Sequence, residues 1–139
     1  MKFVGREREL KKLNELYEEQ GFQFIVIYGR RRVGKTMLIN EFLKEKRSVY
    51  YMSVEGTAKE NLSGISKALL TESNQNFYTP EFPDFESLLS YIDHLCMNSN
   101  KKERLIIAID EFPYLAASYS AISSMLQSHI DQCWKDSNL

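Results

Sequence analysis

The sequence contains no stretch of about 18 apolar residues, the length a helix needs to cross a bilayer, so no membrane span is expected. Its start, Met1-Lys2-Phe3-Val4-Gly5-Arg6, turns charged at once and has no apolar segment of a secretory signal. Cysteine is scarce: Cys96 and Cys133 fit neither a zinc knuckle nor a disulfide framework. Reduced thiols in a cytoplasmic protein are the simplest reading. His94 and His129, the two histidines, have no Cys, His or Asp partner at metal-ligand spacing. There is no internal repeat and no low-complexity tract. What remains is a chain of 139 residues, 43% apolar and 12% aromatic. That is enough for one domain over residues 1–139 with its own core, and too apolar for global disorder.

The formal charge of −1 conceals an asymmetry. Residues 1–47 carry 12 Lys/Arg against 7 Asp/Glu, and residues 48–139 carry 6 against 12. The basic first third permits a nucleic-acid partner but does not require one, since a single nucleotide needs far less positive charge.

Periodicity divides the chain into alternating elements. Arg6 to Glu19 places Leu10, Leu13 and Leu16 on one helical face, and Gln20-Gly21 stops it. Phe22 to Tyr28 is an almost unbroken apolar run of β-formers, which predicts a strand buried on both faces. Gly29 to Gly34 reads as a loop, Lys35 to Lys46 as a helix and Ser48 to Val54 as a second strand. Thr57-Ala58-Lys59-Glu60 has the form of a capping box and opens a helix through Leu62, Ile65 and Leu69, with Gly64 as its weak point. Asp84 caps a helix bearing Phe85, Leu88, Leu89, Ile92 and Leu95. Lys101, Lys102 and Arg104 suit a solvated turn. Leu105 to Asp110 is a third apolar strand, and a last helix runs from about Ser120, with Met125 and Trp134 on its core stripe. Strands apolar on both faces and separated by helices predict a layered α/β fold of three parallel strands with helices on both sides.

Gly29-Arg30-Arg31-Arg32-Val33-Gly34-Lys35-Thr36 matches the phosphate-loop (Walker A) pattern in full. Such a loop wraps a polyphosphate in backbone N–H groups, so glycine stands where a side chain would collide. The helix that follows adds its positive end. Lys35 is placed to meet the β/γ-phosphates, and Thr36 to offer a hydroxyl to Mg²⁺. The strand Leu105–Asp110 ends on Asp110 and Glu111, at the rim where parallel sheets bind ligands. Asp110 would hold Mg²⁺ through its water, and Glu111 would act as general base on an attacking water. The plain alternative is two solvated carboxylates. Arg30, Arg31 and Arg32 either touch phosphate or a neighbouring subunit, or point to solvent.

Phe3-Val4-Gly5-Arg6-Glu7-x-Glu9-Leu10, Tyr28 to Thr36, and Ile109-Asp110-Glu111-Phe112-Pro113-Tyr114-Leu115, in that order, resemble the archaeal-type ATPase family. That family is a prokaryotic branch of the AAA+/STAND P-loop ATPases. The resemblance implies a P-loop NTPase three-layer sandwich, with ATP and Mg²⁺ as cofactors and ATP hydrolysis as the activity. It also places Val4, Gly5 and Arg6 beside the adenine. In the family a further strand, tipped by a polar sensor residue, lies between the phosphate-loop strand and the Asp-Glu strand. A helical lid follows. The present sequence reaches Leu139 about where that strand would start, so a fold incomplete at its C-terminus is expected. The resemblance thereby implies Ser48–Val54 paired in parallel with Leu105–Asp110. It leaves a slot of roughly 9–10 Å, two strand spacings, between Ile25–Tyr28 and Ile106–Ile109. Marginal stability and self-association would follow. Two other readings are compatible with the same residues: a nucleotide-binding switch without useful hydrolysis, and an inert remnant.

Overall fold

A computed structural model describes residues 7–27, 34–72, 81–98 and 104–139. The elements run α1 (Glu7–Glu18), α2 (Lys35–Leu43), β1 (Ser48–Met52), α3 (Ala58–Glu72), α4 (Phe85–Asn98), β2 (Ile106–Asp110), α5 (Phe112–Ser118) and α6 (Ile122–Gln132), followed by a 3₁₀ turn at Trp134–Asp136. Among the described residues the sheet has two strands, β1 and β2, paired in parallel. Tyr50 lies opposite Ala108, and Met52 opposite Asp110.

The register sends alternate apolar residues of the strands into two cores, because successive side chains leave opposite faces of a strand. Tyr50, Ile106 and Ala108 pack against Leu13 of α1 and Leu38, Ile39, Phe42 and Leu43 of α2. Val49, Tyr51, Ile107 and Ile109 join a larger core built from Ile65 and Leu69, Phe85, Leu88, Leu89 and Ile92, Leu115, Ile122 and Trp134. Helices of α1–α2 and of α3–α6 thus contribute to separate cores fed by alternate residues of the same two strands.

Local sequence chemistry explains several boundaries. The Thr57 hydroxyl accepts from the Glu60 N–H at 3.1 Å and donates to the Glu60 carboxylate at 3.3 Å, so α3 starts at its capping box. Asp84 accepts from the Ser87 N–H at 2.7 Å and starts α4. That bond, stabilising the carboxylate, holds Asp84 below its ordinary value. Gly64 does not break α3. It is the one residue that fits there, since a Cβ would stand 2.3 Å from the Tyr51 ring.

Five expectations are corrected. Residues 22–27 form no strand, and Phe24, Ile25 and Val26 are 66%, 39% and 54% exposed rather than buried. β-forming side chains do not make a strand without a neighbouring ladder; here the Gln23 N–H donates to the Leu139 carbonyl at 3.1 Å and not to β2. The expected three-strand sheet is therefore two-stranded among the described residues. The helix from Lys35 ends at Leu43, three residues early. There Lys44 turns to an extended conformation and Glu45 takes a φ of 61°. Of the expected solvated turn, Lys101 and Lys102 lie outside the described residues, and Arg104 is bound to the protein: its guanidinium donates to the carbonyls of Leu16 at 3.3 Å and Gly21 at 2.8 Å, and also to that of Glu19. It caps the end of α1, where the orphan carbonyls carry partial negative charge. Lastly, Trp134 lies beyond the end of α6, in the 3₁₀ turn. It stays buried and donates to Asp93 at 2.6 Å.

Among the described residues no helix is long and apolar enough to cross a membrane. The two cysteines are free thiols, pushed up by burial. His129, without a partner at ligand spacing in sequence, sits in space between Asp93 at 2.9 Å and Glu86 at 3.0 Å.

Candidate nucleotide site

The site is built where α2 begins and β2 ends. Gly34 caps α2 with a φ of 84°, left-handed backbone that a side chain disfavours, and it brings no side-chain oxygen to the first N–H groups of the helix. Free N–H donors and the positive end of a helix are what an anion such as phosphate binds. Lys35 and Thr36 are the first two residues of α2.

Asp110, the last residue of β2, lies on the sheet face that α2 covers and is 2% exposed. Its Oδ2 accepts from the Thr36 hydroxyl at 2.7 Å and from the Tyr50 hydroxyl at 2.7 Å. Its Oδ1 accepts from the Glu111 N–H at 2.9 Å, and the Lys35 Nζ stands 3.7 Å away. Burial pushes this carboxyl up. The bonds from Tyr50, Thr36 and the Glu111 backbone, with the Lys35 charge, outweigh burial and hold it below its ordinary value. The same contact acts in reverse on Tyr50, whose phenol is raised by burial first and then by Asp110.

Glu111 has φ 54° and ψ 42°, a left-handed conformation unusual for a residue with a Cβ. It caps α5, whose first turn holds Pro113, a residue pre-set for a helix start. The turn brings the Glu111 carboxylate within 3.9 Å of the Lys35 Nζ. One ammonium thus stands between two carboxylates, with side-chain exposures of 16% for Lys35, 0% for Asp110 and 20% for Glu111.

Of the residues expected at this site, Gly34, Lys35, Thr36, Asp110 and Glu111 are brought together. Gly29, Arg30, Arg31, Arg32 and Val33, and the adenine-side Val4, Gly5 and Arg6, lie outside the described residues. Tyr50 was missed. Its signal is not local: it shares a sheet face with Asp110 across β1 and β2, as Ser48 and Met52 also do, and it alone of the three brings a phenol hydroxyl to that carboxylate.

A family model described as an ATPase domain predominantly from Archaea matches residues 3–138. The chain belongs to this archaeal-type ATPase family. An uncharacterized protein of Methanocaldococcus jannaschii is 36% identical over 129 residues, which are 93% of this chain and 26% of that protein. An uncharacterized ATP-binding protein of the same organism is 51% identical over 45 residues, 32% of this chain and 76% of that protein. The archaeal-type ATPase chain therefore spans about a quarter of the first relative's length. No solved structure matches it. Family membership accords with the phosphate-loop pattern of the sequence and with the α/β architecture of the chain.

Proposed function

We propose that this archaeal-type ATPase domain binds ATP at the start of α2 and hydrolyses it with Mg²⁺. The carrying observation is the Thr36–Asp110 contact of 2.7 Å, which joins the phosphate-loop helix to the carboxylate strand across 74 residues of sequence. A hydroxyl oxygen and a buried carboxylate are hard oxygen donors, and Mg²⁺ is held by one or two such groups plus phosphate and water. Thr36 and Asp110 fit that ion, which supplies charge neutralisation of the polyphosphate.

The chain's own residues divide the remaining work. The Gly34 backbone and the first N–H groups of α2 hold phosphate oxygens. Lys35, which stands 3.7 Å from Asp110 and 3.9 Å from Glu111, reaches the β/γ-phosphates. Glu111, aimed into the site by its left-handed turn, takes the proton of the attacking water. The name of the ATP-binding relative supports the choice of nucleotide.

Calorimetry and phosphate release test these roles. Lys35→Ala is expected to weaken Mg·ATP binding by more than about 1.5 kcal/mol, the loss of a charge-assisted contact. Glu111→Gln is expected to keep affinity and abolish phosphate release. Unchanged affinity in Lys35→Ala refutes the site. Lost affinity with intact turnover in Glu111→Gln reverses the roles of the two carboxylates.

A further inference from the structure

The Asp110 carboxylate has a feature that the nucleotide reading does not use. An ionised carboxyl offers about four acceptor positions, two on each oxygen. Both positions on Oδ2 are taken by protein hydroxyls, from Thr36 and Tyr50, each at 2.7 Å. Oδ1 accepts one backbone N–H, from Glu111 at 2.9 Å, and faces Lys35 at 3.7 Å. The terminal torsion of an aspartate is broad and two-fold, so such a group turns easily unless something holds it.

The two hydroxyls on Oδ2 are not equivalent. Thr36 is the residue whose oxygen the proposed cation would take, so its bond to Asp110 is tied to the ligand. Tyr50 has no such second duty. Its ring packs against the α1–α2 core, and its backbone is fixed in β1 opposite Ala108. The phenol oxygen is therefore set by packing and by the sheet, independently of the phosphate loop.

We infer that Tyr50 is a positioning residue for divalent cation. Its hydroxyl pins Oδ2 of Asp110 so that the carboxylate keeps one orientation when Thr36 turns to the metal. The inference rests on the nucleotide reading and deepens it. It assigns to β1, an element with no phosphate-binding motif, the task of setting how well the site holds its ion.

The test is a Mg²⁺ titration of the ATP-bound full chain, read by calorimetry, with wild type, Tyr50→Phe and Tyr51→Phe side by side. Tyr51→Phe also deletes a phenol that hydrogen-bonds in the interior, to Asn61 at 2.6 Å, but on the opposite sheet face. Tyr50→Phe is expected to raise the Mg²⁺ concentration at half-saturation about tenfold, the scale of one charge-assisted hydrogen bond. Binding of ATP in the presence of a chelator should change by less than about twofold. Tyr51→Phe should leave the Mg²⁺ dependence at the wild-type value. An equal shift in both variants, or none in Tyr50→Phe while wild type responds to Mg²⁺, overturns the assignment of Tyr50. Failure of wild type to bind Mg·ATP at all instead overturns the nucleotide reading beneath it. The chain with fluorotyrosine in place of Tyr50, which keeps the phenol hydroxyl, provides a second measurement that does not depend on Tyr50→Phe folding. Its fluorine resonance should move when Mg²⁺ is added to the ATP complex, and a static resonance refutes the proposal.

Discussion

Gly64→Ala offers a sharp test of the packing, because two well-known effects oppose each other there. In the interior of a helix, alanine is better than glycine by about 1 kcal/mol. Gly64 is in the middle of α3, so propensity alone predicts a more stable protein. The geometry predicts the reverse. A Cβ at position 64 would lie 2.3 Å from Cε1, 2.8 Å from Cζ and 2.9 Å from the hydroxyl oxygen of Tyr51. Ordinary contact requires the ring to retreat by about 1 Å, taking 3.5 Å as a carbon–carbon separation. The ring cannot swing freely: its hydroxyl donates to Asn61 Oδ1 at 2.6 Å, and Asn61 is fully buried. That amide also accepts the Val54 N–H at 2.9 Å and donates to the Ser118 hydroxyl at 3.1 Å, so it cannot follow the ring without losing other partners. Overpacking costs about 1–3 kcal/mol, and a lost internal hydrogen bond about 1 kcal/mol. After subtracting the propensity gain, Gly64→Ala should destabilise by about 1–3 kcal/mol. Urea unfolding followed by circular dichroism measures this as a lower midpoint at unchanged slope. In a Tyr51→Val background the ring is gone, and the same substitution should become stabilising; the double-mutant cycle isolates the contact. A Gly64→Ala protein as stable as wild type, with Tyr51 present, would refute the argument.

Two further outcomes follow from the interior. The Tyr51 phenol is raised by burial and then by the Glu60 charge. Its contribution is thus complete below the ordinary phenol value of about 10 and is lost as pH rises from there toward the folded-state value. Unfolding free energy should fall in that alkaline window, and Tyr51→Phe should flatten the fall; an unchanged slope in titrated urea melts would contradict it. Arg104→Met keeps the apolar stem but removes three hydrogen bonds to the end of α1. Hydrogen exchange in α1 should accelerate more than in α4, and equal acceleration would show that the guanidinium is not what secures α1.

Where a single element determines its own form, the sequence was readable. The capping box at Thr57, the cap at Asp84 and the start of α2 at Lys35 are each set by residues within one turn, and each stands where local chemistry places it. The site pairing of Thr36 with Asp110 was legible because two motifs of known chemistry imply a common ligand. Features that depend on a neighbour were not. The run at 22–27 has strand-forming side chains, but a ladder needs a partner, and its Gln23 N–H finds Leu139. The short helix α5 was overlooked although Pro113 marks its start. Asn61, buried with five hydrogen bonds joining β1, α3 and α5, carries no pattern in sequence at all. Tyr50 belongs with these: its relation to Asp110 exists only across the sheet.

The way Asp110 is held also bears on how the chain reaches its working form. Its hydroxyl partners come from 60 and 74 residues upstream, and the strand that carries it pairs with one more than fifty residues earlier. Contacts of such separation are slow to form, since a long loop must close before any bond rewards it. Before β1 and β2 align, the carboxylate lacks the tyrosine, the threonine and the lysine that offset its burial. No short local piece of the chain therefore contains a working version of the site. Binding competence should arise in the same kinetic step as parallel pairing, so the rate at which nucleotide capture appears during refolding times the closing of the sheet.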